Sequence, residues 1–67
     1  MELLTVQQVA KKLKVNKNTV YRLIKKGYIT ALKLGSLKVA TTEVDRFIEF
    51  SIGKDFTDLD NVKELVS

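Results

Sequence analysis

The side chains of this protein that could act on a partner are concentrated in one run, KNTVYRLIKK, from Lys17 to Lys26. Placed on a helical period, Val20, Leu23 and Ile24 share one face and Lys17, Asn18, Thr19, Tyr21, Arg22, Lys25 and Lys26 occupy the other. That second face carries no acidic residue. Its cations suit phosphate, the Asn carboxamide suits the edge of adenine, and the Arg guanidinium suits guanine or phosphate. A helix face that only has to be wetted usually mixes both signs of charge. The pattern therefore predicts a helix that enters the major groove of duplex DNA, against the plainer reading of an αα-hairpin with no nucleic-acid role. Tyr21 has two readings, a ring packed on the core with its hydroxyl toward a phosphate, or a surface aromatic.

Bond-breaking chemistry has little to work with. The 67 residues include no histidine and no cysteine, which excludes disulfides, His/Cys zinc sites and Ser-His or Cys-His nucleophiles. A chain of this length can bury one small cluster of side chains but not also wall a deep cleft around paired carboxylates. The expectation is a non-enzymatic protein without cofactor or metal. No apolar stretch approaches the roughly 20 residues of a membrane span. No signal peptide precedes the first amphipathic stretch, so a cytoplasmic location is expected.

The elements that would position the Lys17–Lys26 face are marked by caps. Thr5 with Gln8 three residues on forms a capping box, followed by Val6, Val9, Ala10 and Leu13 at helical spacing. Asn16 caps the second helix, which is expected to run from about Lys17 to Lys26 and stop at Gly27. Only Lys14 to Asn16 separate the two helices, the spacing of a helix-turn-helix.

The period then changes to alternation. Residues 29–34 and 37–41 read as strands around a two-residue Gly35-Ser36 turn. That register pairs Leu34 with Leu37, Lys33 with Lys38 and Leu32 with Val39. It gives an apolar face of Leu32, Leu34, Leu37 and Val39, and places two like charges opposite each other, where a phosphate between them would relieve the repulsion. A third helix is expected to start at Thr41 or Thr42, boxed by Asp45, with Val44, Phe47 and Ile48 inward and Gly53 past its end.

Charge divides the chain in two. The net charge is +4. Residues 1–53 carry ten Lys/Arg against four Asp/Glu, and residues 54–67 carry two against four. A basic body suggests a polyanionic partner, although ordinary solubilising charge is compatible with the totals alone. The expected architecture is a small α+β winged helix-turn-helix over residues 1–53, with an acidic tail over 54–67. In the tail, a short helix from Thr57 would align Leu59, Val62, Leu65 and Val66.

The stretch from Leu4 to Phe50, about 47 of the 67 residues, resembles the excisionase-type winged-helix family, which is related to the DNA-binding domains of MerR-type regulators. The pieces that carry the resemblance are Leu4-Thr5-Val6 with Val9-Ala10, Val15, the run Thr19-Val20-Tyr21-Arg22-Leu23-Ile24, Gly27, the hairpin and the closing helix. It implies a major-groove set of Lys17, Asn18, Thr19, Tyr21 and Arg22, and a wing carrying Gly35, Ser36 and Lys38 in or beside the minor groove. Lys25, Lys26 and Lys33 add charge to the same surface. The implied activity is that of a recombination directionality factor: it binds and bends attachment-site DNA so that an integrase excises a mobile element. Separately, one recognition helix reads only a few base pairs and no long coiled-coil segment is present, so monomers are expected to associate head to tail on repeated sites. A small transcription regulator of the same fold is the alternative. A protein-interaction module whose basic face meets an acidic partner is a third reading.

Overall fold

Chain entry into the first helix is fixed by reciprocal hydrogen bonds. In a computed structural model that describes residues 1–65, a short strand β1 (Leu3–Thr5) leads directly into α1 (Val6–Leu13). The Gln8 N–H donates to Thr5 Oγ1 at 3.1 Å, and the Thr5 N–H donates to Gln8 Oε1 at 2.9 Å. The capping box expected from the sequence is formed, satisfying two donors that the helix itself leaves unpaired.

The turn after α1 is tight. Lys14 adopts a left-handed conformation with φ of 60°, and the Val15 N–H reaches back to the Ala10 carbonyl at 3.0 Å, closing the helix in a Schellman-type turn. Asn16 Oδ1 then accepts from the Thr19 N–H at 2.9 Å and starts α2 (Lys17–Lys25). Gly27 takes the positive φ, 85°, expected past the end of that helix. Immediately afterwards, the Tyr28 and Ile29 N–H groups both donate to the Leu23 carbonyl, which turns the chain inward and buries Ile29.

β2 (Leu32–Leu34) and β3 (Ser36–Ala40) form the hairpin, and β1 joins on the far side of β3 to give an antiparallel sheet in the order β1-β3-β2. The register differs by one residue from the one read in the sequence. Gly35 alone stands at the tip, with Leu34 opposite Ser36, Lys33 opposite Leu37 and Leu32 opposite Lys38. A one-residue slip exchanges the two faces of a strand. Leu32 and Leu34 are therefore 39% and 64% exposed instead of buried, while Val39 is buried and Leu37 half-buried. The Lys33–Lys38 cross-strand pair does not form. The inward positions leading into β2 belong to Ile29 and Ala31, and this commits Leu32 and Leu34 to the outer face. β3 itself is held from the other side, with Leu4 opposite Val39.

α3 (Thr41–Ser51) follows β3 without a connecting loop. Its cap differs from expectation. Ala40 is the cap residue and no side chain caps the helix. The Thr41 hydroxyl instead accepts from the Glu2 N–H at 3.1 Å, and the Thr41 N–H donates to the Glu2 carbonyl at 2.8 Å. Asp45 sits 3.7 Å from Lys12 rather than closing a box. Val44 and Phe47 are buried and Ile48 half-buried, as the apolar stripe required. Glu43 ties α3 to the loop before the hairpin: it accepts from Arg46 and from the Thr30 N–H, while Arg46 also donates to the Tyr28 carbonyl. The Arg46 hydrogen bonds hold the Glu43 carboxyl below the usual carboxylate range.

Among its described residues, 54–65, the tail is not helical. β4 (Lys54–Asp55) pairs with β5 (Lys63–Glu64) around an irregular turn. Asp55 and Asp58 each accept a hydrogen bond from the N–H two residues on, those of Thr57 and Asp60. Such local turns compete with helix formation and win here. Leu59 inserts into the core at 4% exposure, Val62 is half-buried and Leu65 is exposed. Val66, the last apolar residue of the helix expected there, lies outside the described residues. The Phe56 ring meets Tyr28 and Phe47 edge-on at 5.2 and 5.3 Å. Three helices around one small core, with β2 and β3 of the three-stranded sheet forming the wing, make this a winged helix-turn-helix.

Candidate nucleic-acid interface

α2 owes its orientation to three buried or half-buried side chains, Val20, Leu23 and Ile24, which press it on the core. At 3.6 residues per turn the remaining positions fan out in order around the helix. Lys17 and Tyr21 lie along one flank, Asn18 and Lys25 along the middle, and Arg22 and Lys26 along the other flank. All six are exposed. Thr19, half-buried, sits at the inner edge. Its hydroxyl donates to Asn16 Oδ1 at 3.1 Å, so of the predicted polar set Thr19 has its donor already used in holding the turn.

Each flank has a neighbour. On the Lys17–Tyr21 side, an open cleft brings these two residues together with Thr5 and Gln7 at the start of α1 and with Ser36 and Leu37 of the wing. The wing thus stands beside α2, and Gln7, a residue the sequence reading passed over, lines the same cleft. Its signal was its place in the first turn of α1, one step from the capping Gln8. On the Arg22 side, a larger cleft of about 460 Å³ is bordered by Thr19, Arg22, Phe47, Phe56 and Leu59. Beyond it lies the acidic turn of the tail.

The wing presents its cations on two faces. Lys33 is exposed opposite Leu37. Lys38 is half-buried on the other face, where its ammonium donates to Ser36 Oγ at 2.6 Å. Gly35 at the tip has φ of 75° and open space around its Cα, so the backbone there can approach another molecule closely.

Charge is distributed as a polyanion would require. From Leu3 to Thr42 no residue is acidic, and this span includes both helices of the helix-turn-helix and the whole wing. Lys11, Lys14, Lys17, Arg22, Lys25 and Lys33 make no ion pair with another described residue. Lys26, which caps the C-terminal end of α2, is the exception, being bound by Asp60.

Residues 3–51 match the helix-turn-helix domain family. The chain belongs to that family. No curated protein and no solved structure matches it significantly. The family makes it a DNA-binding helix-turn-helix protein, and the two helices that give the family its name are α1 and α2, joined by Lys14, Val15 and Asn16. Among the described residues, no helix of this helix-turn-helix protein is long and apolar enough to cross a membrane, and no cluster of acidic side chains is grouped to hold a metal ion.

Proposed function

We propose that α2 reads the major groove and that the β2–β3 wing grips the adjoining backbone. The observation that carries this is the cleft lined by Thr5, Gln7, Lys17, Tyr21, Ser36 and Leu37, across which the exposed face of α2 and the wing stand side by side with no acidic residue between them. Asn18 and Lys25, in the middle of the face, are best set for base edges. Lys17, Thr19, Tyr21, Arg22 and Lys26 flank them. Gly35, Ser36, Lys33 and Lys38 meet sugar and phosphate. With roughly three to five phosphates neutralised per monomer, log affinity against log salt should fall with a slope of about −3 to −4.5. Affinity that stayed flat between low and physiological salt would rule this surface out as the DNA site.

Within that reading, the biological role is that of an excisionase, which binds and bends attachment-site DNA and so lets an integrase excise a mobile element. The likeness of Leu4–Phe50 to that family supports it. One α2 helix covers only a few base pairs, so useful selectivity calls for several monomers on adjacent repeats, arranged head to tail. DNase footprinting separates the roles. Protection of repeated sites beside an attachment site, with bending and stimulated excision by the integrase, is expected. Protection confined to promoter DNA would instead identify a small transcription regulator.

A further inference from the structure

We propose that the acidic turn of the tail is a built-in competitor for DNA phosphate at Lys26, setting the strength of the interface from one flank. The inference rests on the DNA-binding reading of α2.

Three observations place the competitor. Leu59 is buried in the core, and its carbonyl accepts from the Tyr28 hydroxyl at 3.2 Å. The Phe56 ring, packed on Tyr28 and Phe47, fixes the chain just before it. With Leu59 inserted, the residue after it must emerge beside the C-terminal end of α2. Asp60 does so, and its carboxylate accepts a hydrogen bond from the Lys26 ammonium. That contact, with the charge of Arg22 adding to it, keeps the Asp60 carboxyl below the usual carboxylate range. Asp60 is thus an anion held where a backbone phosphate would otherwise contact the Arg22–Lys26 flank.

The consequence is directional. A phosphate approaching this flank must displace Asp60 from Lys26 and then tolerate a nearby negative charge. DNA binding is favoured on the wing side and in the middle of α2, and opposed on the tail side. Asp60 is exposed, at 74% for its side chain, so replacing it leaves the core untouched. Asp58 is a poorer probe because its carboxylate holds the turn itself.

The test is a double-mutant cycle on the full chain, read by titration of duplex DNA at several salt concentrations. Wild-type protein should bind with salt-dependent affinity, and if it does not, the DNA-binding reading has failed before this one is reached. Asp60→Asn should bind specific and unrelated duplexes about two- to fivefold more tightly at low salt, with a salt slope steeper by about 0.9, the increment of one added phosphate contact. The gain should largely vanish when Lys26→Ala is also present. Glu49→Gln, which removes an exposed acid that makes no ion pair with the described residues, should leave the slope unchanged. An Asp60→Asn protein that binds no more tightly than wild type would overturn the proposal. So would a gain that survives Lys26→Ala in full, or one equalled by Glu49→Gln.

Discussion

Lys14 occupies the left-handed region because the chain must reverse between α1 and α2 within three residues. A side chain with a Cβ is held there against its preference by about 1 kcal/mol. Lys14→Gly should therefore raise the unfolding free energy by up to ~1 kcal/mol, measured by urea titration. A loss of stability would mean that the lysine stem makes compensating contacts. On α2 the division of labour between neighbours is sharper. Arg22 faces outward and Leu23 is buried. Arg22→Ala should weaken binding to specific and unrelated duplexes by similar factors, with a salt slope shallower by about 0.9, while unfolding as the wild type does. Leu23→Ala should lose about 2–5 kcal/mol of stability. Thermal melts and titrations of both variants check this. An Arg22→Ala protein that melted early yet bound normally would invert the faces of the helix.

The elements differ in how firmly local sequence determines them. Leu34 marks the difference in the wing. It is largely exposed, so Leu34→Ser should change stability by no more than about 0.5 kcal/mol, whereas Val39→Ala, in the core of the same hairpin, should cost about 1–3 kcal/mol. Equal losses in chemical denaturation would restore the register with Leu34 inside. The helices were legible from sequence because their signals are short-range: Thr5 with Gln8, Asn16 with Thr19, and an apolar stripe for each. Much of the α2 surface was legible for the same reason, since periodicity alone separates Arg22 from Leu23. What stayed hidden depends on contacts between distant segments. β1 has only three residues and makes sense only beside β3. The wing register follows from Ile29 and Ala31 being drawn inward, and the alternating leucines of β2 pointed the other way. Thr41 looked like a cap, yet Glu2 from the opposite end of the chain uses it. In the tail, the spacing of Leu59 and Val62 suggested a helix, but the Asp55 and Asp58 turns closed first.

At the scale of the molecule the tail contributes to the core. Truncation after Gly53 would remove Leu59 and Phe56 from the cluster formed with Phe47 and Tyr28. The loss should be at least ~3 kcal/mol, which lowers the melting temperature by roughly 12–24 °C for a domain of this size. A truncated protein that melted like the full chain would show that the body is self-sufficient. The sheet carries a different kind of consequence, one of timing. α1 and α2 meet through neighbours in sequence, whereas Leu3 must find Ala40 before β1 can pair. Closing so long a loop is slow compared with docking adjacent helices. A refolding chain should thus protect the amides of α1 and α2 from hydrogen exchange before those of Leu4 and Val39, and simultaneous protection in a pulse-labelling experiment would contradict that order. For a short interval each molecule would hold its α1–α2 pair with no strand yet in place to aim the wing beside it.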